Sequence, residues 1–297
     1  MFTRLFAAEW LKLWRRPLAW AMLAIFLGLL ALSLVLWTLV VALHEGALGM
    51  SITVLRDEQV AEIRRQLSLP GIFGMVLGQV NSTGGILAIL LAAGSLGGDY
   101  SWGTLRSLLS RAPDRRVYLL AKTMALLLGL LIGVVLGLLV GVLIALIASA
   151  WLGLPHELGA RDLLVLPIGI ARALLIILPY LLLTLASAAL GRSTLAGIAG
   201  GIIFLIFDIG AGSLTSLGLV NPLIRQVLNL LLQPNINSLV MQNGRLFGLD
   251  QALLTNALDP TVLPSPLQAT IVVSLYSLLF GYTAWRTIAR RDITGAQ

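Results

Sequence analysis

The chain has 297 residues, of which 58% are hydrophobic and only 11% charged, against roughly 45–50% and about 25% in soluble domains. That balance excludes a soluble enzyme and indicates an all-α integral membrane protein. The net charge of +7 comes from 18 Arg and two Lys against 13 acids. With no cysteine, disulfides, thiolate nucleophiles and cysteine-ligated metals are excluded as well.

In chain order, residues 1–16 place Phe2, Phe6, Trp10, Leu13 and Trp14 on one helical face, with Arg4, Lys12, Arg15 and Arg16 opposite. This predicts an interfacial helix, with Trp10 and Trp14 at headgroup level and Lys12, Arg15 and Arg16 drawn to anionic membrane lipid. Pro17 then turns the chain into the membrane. About 20 apolar residues cross a hydrocarbon core of roughly 30 Å, and six uncharged or nearly uncharged runs reach that length. The first covers residues 18–43. It is too long for a signal-peptide core and has no obvious cleavage site, so it is expected to remain in the mature protein. Between Ser51 and Leu67, apolar and charged residues alternate as in a short amphipathic helix. The second span covers 76–98.

Residues 99–111 form a polar connection in which Leu105, Leu108 and Leu109 fall on one side of a short helix, with Arg106 and Arg111 elsewhere. Pro113 ends it, and Asp114 can cap the helix that follows. The third span, 123–152, carries Gly129, Gly133, Gly137 and Gly141 at a four-residue step. Small residues at that spacing let another helix approach closely, from within the chain or from a second protomer. The fourth span, 166–190, is interrupted by Pro167, Arg172 and Pro179, and the fifth, 195–217, by Asp208. Counted along the helices, Arg172 and Asp208 reach similar depths near the outer boundary and could pair; intramembrane charge is a functional-site candidate by default. Between 218 and 266 lies a stretch rich in Asn, Pro and Gln, expected as a lid of solvated or half-embedded helix. The sixth span covers 267–285.

With the amino terminus in the cytoplasm, the inside segments hold 13 of the 20 basic residues and four acids, a net +9, leaving −2 outside. The Lys and Arg asymmetry therefore predicts both termini in the cytoplasm of a plasma (inner) membrane protein. Neither lysine follows a glycine: Lys12 follows Leu11 and Lys122 follows Ala121. No nucleotide-binding P-loop of that kind can form. His44 and His156 are far apart in sequence, so no zinc-protease pair is present and no metal site is expected. Ala93, Gly94, Ser95, Leu96 and Gly97 approach a serine nucleophile elbow, but Ala93 replaces its first glycine and no strand precedes it.

The connection after the second span resembles the coupling segment in permease subunits of type-2 ATP-binding-cassette exporters. The likeness rests on Asp99, the run Gly103, Thr104, Leu105, Arg106, then Leu108, Leu109, Ser110, Pro113, Arg115 and Arg116, and on Lys122 leading into the third span. The amphipathic start, the six-span count and the basic tail Arg290, Arg291, Asp292 are also similar. The resemblance implies a coupling helix over 99–111 that docks on separate cytoplasmic ATPase subunits through Asp99, Trp102, Gly103, Thr104, Leu105, Arg106, Leu108 and Leu109. It further implies a second permease protomer, identical or related, and ATP with magnesium held by the ATPases rather than by this chain. On that footing the chain is a non-enzymatic export permease with no nucleic-acid partner. An ion-gradient-driven carrier and a non-transporting membrane scaffold are the alternatives.

Overall fold

The computed structural model describes residues 1–47, 49, 55–103, 114–214, 221–250 and 262–290. Apart from a single bridge pairing Leu69 with His156, regular structure among the described residues is helical. Helix α1 (Phe2–Arg15) leads into α2 (Pro17–His44), and α3 (Asp57–Leu67) into α4 (Gly71–Ser101). Then come α5 (Arg115–Leu152), α6 (Ala160–Gly191) and α7 (Thr194–Ser213). Two shorter helices, α8 (Pro222–Leu228) and α9 (Leu232–Leu246), precede α10 (Pro266–Arg290). Six of these, α2, α4, α5, α6, α7 and α10, are long and apolar enough to cross a membrane, as a multi-pass membrane protein requires.

Several helices outrun their apolar cores. Helix α5 begins at Arg115, well before the uncharged run, because the Asp114 side chain accepts a hydrogen bond from the Arg116 backbone N–H at 2.8 Å. This N-cap satisfies one of the backbone donors left open at a helix start. At 38 residues, α5 is about 57 Å long, far more than the roughly 30 Å of hydrocarbon. Its first turns, with Tyr118 and Lys122, precede the uncharged run that begins at Thr123.

Helix α6 is the central post, packed against α4, α7 and α10. It continues through Pro167 and Pro179. Proline inside a spanning helix is tolerated where neighbouring helices and hydroxyl side chains re-satisfy the freed backbone groups. The glycine stripe of α5 packs inside the chain. A Cβ at Gly129 would lie 2.9 Å from Leu13 of α1, one at Gly137 3.0 Å from Phe26 of α2, and one at Gly141 2.5 Å from Val76 of α4. At Gly133 the nearest atom, on Leu23, is 3.7 Å away.

The two ends of the bundle differ. The end away from α1 is covered by α3 and α9. In α3, Val60, Ile63 and Leu67 are buried, and Arg64 is ion-paired with Glu45 at the end of α2. Glu62 is also buried, accepting from the Asp250 backbone N–H at 2.9 Å. Its burial pushes the carboxyl above its ordinary range, against the opposing pull of that hydrogen bond and of Arg65. Helix α9 packs on α4, α6 and α10. Its asparagines are structural rather than solvated: Asn235 donates to the carbonyls of Asn229 (2.8 Å) and Leu231 (2.6 Å), and Asn243 to that of Gly169 (3.1 Å).

Candidate functional site: a buried charge cluster beneath the α4–α5 connection

At the α1 end, the last turns of α4 and the first turns of α5 flank the connection between them, and α1 lies against α5. Buried residues on these three helices build one polar cluster. Asp99 near the end of α4 has no exposed surface. Its Oδ2 accepts from Lys122 Nζ at 2.7 Å and from the Tyr118 hydroxyl at 2.9 Å, both on α5. Its Oδ1 accepts from Arg16 Nη2 at 2.9 Å, at the junction of α1 and α2. Lys122, 1% exposed, also donates to Glu9 Oε2 of α1 at 2.5 Å and to Ser95 Oγ of α4 at 3.2 Å. Lys12 closes the ring, 2.7 Å from Glu9 Oε1 and 3.8 Å from Asp99 Oδ2.

Three cations thus surround two carboxylates. Leaving any of these charges buried without its partner costs several kcal/mol. Arg16 adds bonds to the carbonyls of Gly94 (3.2 Å) and Ser95 (3.1 Å). Its guanidinium carbon also lies 4.9 Å from the ring centroid of Trp102, a cation–π contact. Next to the cluster, Arg115 donates to the carbonyls of Ile288 and Ala289 at the end of α10, both at 3.0 Å. Arg116 sits over the Trp285 ring at 4.3 Å. The starts of α2 and α5 and the ends of α1, α4 and α10 are thereby fastened to one another.

These positions correct two expectations. Lys12 and Arg16, read as part of an outward polar face, turn inward because the Glu9 and Asp99 carboxylates wait there; Arg15 stays exposed and Trp10 half-buried. Asp99, read as part of a docking surface, is enclosed by its own chain and presents nothing outward. Trp102 is 68% exposed, and Gly103, also exposed, is held at φ +66° where glycine is favoured. Thr104, Leu105, Arg106, Leu108 and Leu109 lie outside the described residues.

The intramembrane pairing of Arg172 with Asp208 is also not made. Arg172 donates to Asn243 Oδ1 of α9 at 3.2 Å. Asp208 accepts from the Tyr180 hydroxyl at 2.5 Å and from the Gln233 backbone N–H at 3.1 Å. Depth along two helices says nothing about which way each faces, and these two face different neighbours.

Glu9, Ser95 and Tyr118 were missed by sequence reasoning, and Lys122 was not given a site role. The signal was a polar group on an apolar stripe: Glu9 stands between Leu5 and Leu13, and Lys122 between Tyr118 and Leu126, each at four-residue steps.

A family model described as "Protein of unknown function (DUF2705)" matches residues 71–294, more than half of the chain. The chain belongs to that family. No curated protein and no solved structure matches it. The DUF2705 match takes in Ser95, Asp99, Tyr118 and Lys122 and starts after α1, which supplies Glu9 and Lys12.

Proposed function

We propose that this chain is the permease subunit of an ATP-binding-cassette exporter, driven through the α4–α5 connection by separate cytoplasmic ATPase subunits. The observation that carries the reading is the cluster around Asp99 and Lys122. It fastens α1, α4 and α5 where the connection leaves the bundle, so a push on that connection moves three helices together instead of bending one loop. The exposed Trp102 and the turn at Gly103 begin the surface that the ATPase would meet. The resemblance of residues 99–122 to coupling segments supports the same assignment.

On this reading ATP and magnesium sit in the ATPases, a second protomer completes the path, and both termini face the cytoplasm of the plasma membrane. Closure of the ATPases shifts the connection and changes which side the path opens to; cargo is driven if its affinity differs between the two states. Co-purification of the chain with an ATPase subunit and reconstitution into vesicles test the proposal. Flux that requires ATP supports it, and full flux from the isolated chain refutes it.

One observation favours a second reading, an ion-gradient-driven carrier. Asp208 is a buried carboxyl, 4% exposed, hydrogen-bonded to Tyr180 and to the Gln233 backbone, with no cationic side chain beside it among the described residues. Intramembrane carboxyls of this kind serve proton relays. The same vesicles separate the readings, since flux would then follow a proton gradient without ATP.

A further inference from the structure

On the membrane side of the charge cluster, a cleft runs between α1, α2, α4 and α5. Its lining is almost wholly apolar, the indole N–H groups of its tryptophans apart. Two features keep it open. Gly84 and Gly133 place no side chain in it, and Leu23, the nearest neighbour of Gly133, stops 3.7 Å from where a Cβ would be. Leu23, Leu130 and Gly133 are only half-buried, so the cleft opens sideways. In a membrane that side is lipid, and an apolar cleft facing lipid has no reason to hold water.

The dimensions match one leaflet. Along α4 the cleft runs from Leu91 to Val80, eleven residues or about 16 Å. Half of a roughly 30 Å hydrocarbon core is about 15 Å.

Its mouth is built as a headgroup site. Trp10, Trp14 and Trp20 line it, and the rings of Trp14 and Trp20 meet edge-on with centroids 4.7 Å apart. The Trp20 indole N–H donates to the Trp14 carbonyl at 2.8 Å, which fixes the corner between α1 and α2. The indole N–H groups of Trp10 and Trp14 have no acceptor among the described residues. Indoles at headgroup depth are placed to donate to lipid ester or phosphate oxygens. Beside them Arg15 is exposed, and the cluster behind carries one more cation than anions. Charge at the mouth therefore favours an anionic headgroup.

We infer that this cleft holds one acyl chain of a membrane phospholipid, taken from the leaflet on the α1 side, with an anionic headgroup at Trp10, Trp14 and Arg15. The lipid completes the packing of α1 and α2 against α5, where the protein's own side chains leave a gap. The inference needs only a bilayer and stands whether or not an ATPase drives the chain.

The test is native mass spectrometry of the full chain, purified in detergent and titrated with phosphatidylglycerol or phosphatidylcholine, with and without substitutions. The wild type is expected to retain one phospholipid per chain and to prefer phosphatidylglycerol. Gly133→Leu fills the cleft from α5 and Leu23→Phe narrows it from α2. Each is expected to weaken retention about tenfold or more, because several methylenes of contact are lost. Arg15→Gln is expected to keep the lipid but to level the two headgroups.

Retention at the wild-type level in whichever cleft-filling variant folds, judged by its melting temperature in lipid-free detergent, overturns the inference. A dimer that carries no lipid overturns it too, because a second copy would then occupy the cleft. A phosphatidylglycerol preference that survives Arg15→Gln overturns the headgroup assignment.

Discussion

Asp99 and Lys122 meet at 2.7 Å on the two helices that flank the α4–α5 connection, and neither reaches solvent. A buried pair of this kind is weak evidence for net stability, since desolvation opposes attraction. Its effect is geometric: the end of α4 and the start of α5 cannot separate without leaving charge uncompensated in an apolar setting.

Replacing Lys122 with Met removes the closer of the two links between Glu9 and Asp99, leaving the longer one through Lys12. Asp99 keeps Arg16 and Glu9 keeps Lys12, so the expected loss is about 1–3 kcal/mol of stability, the usual cost of removing one hydrogen-bonding partner from a buried group. It should appear as a lower melting temperature together with faster proteolysis within α1. A double variant, Lys122→Met with Glu9→Gln, should recover part of that loss, which a double-mutant cycle would measure.

Within the permease proposal, Asp99→Asn and Trp102→Ala should fail differently. Asp99 lies behind the surface, so Asp99→Asn is expected to leave ATPase co-purification intact while ATP-dependent flux falls. Trp102→Ala is expected to weaken co-purification itself. Identical behaviour of the two variants would remove the distinction between a docking surface and its internal support.

The glycine stripe predicts a position-specific cost. A Cβ at Gly141 would lie 2.5 Å from Val76, whereas one at Gly133 meets Leu23 at an ordinary 3.7 Å. Gly141→Ala should therefore destabilise by about 1–3 kcal/mol, the usual cost of overpacking, and Gly133→Ala should be close to neutral. Thermal unfolding of the two single variants in one detergent checks this directly.

Glu62 gives the covering layer at the far end a pH dependence. Its carboxyl is raised above the ordinary value by burial, so the folded state holds the proton more tightly than the unfolded chain. At pH below the ordinary carboxylate range both states are protonated and there is no penalty. As pH rises from the ordinary value through the raised one, the unfolded chain ionises first and stability falls. Glu62→Gln should flatten that decline. Melting curves across the acidic range are the measurement, and an unchanged slope would count against the assignment.

Asp208→Asn separates the two functional readings. Under ATP-driven export it should leave nucleotide-dependent flux largely intact, because Asn Oδ1 can still accept from the Gln233 backbone while its Nδ2 donates to the Tyr180 hydroxyl, which has the Gln233 Oε1 as acceptor at 3.3 Å. Under a proton-driven mechanism it should abolish flux, since Asn cannot carry the proton.

The spans were legible because an uncharged run of bilayer length is seldom anything but a crossing. Their ends were not. Helix α5 starts at Arg115 because Asp114 caps it and because Tyr118 and Lys122 find buried partners, which hydropathy scores as polar surface. The same blindness hid α9, where asparagine-rich sequence reads as solvated although Asn235 and Asn243 spend their hydrogen bonds on backbone carbonyls inside the bundle. Glu9 was visible as a charge on an apolar stripe, yet its partner lies 113 residues away, and no local pattern names a partner at that distance. Arg172 and Asp208 show the limit of counting depth without knowing azimuth.

The tie between Glu9 and Lys122 also constrains biogenesis. Helix α1 is translated ahead of α4 and α5, and the ammonium that neutralises its buried acid follows more than a hundred residues later. Until then Glu9 has only Lys12 for company, and α1 has no fixed berth. Helix α1 is thus made before the helices that seat it, and a nascent chain halted before Lys122 would still carry it without its berth.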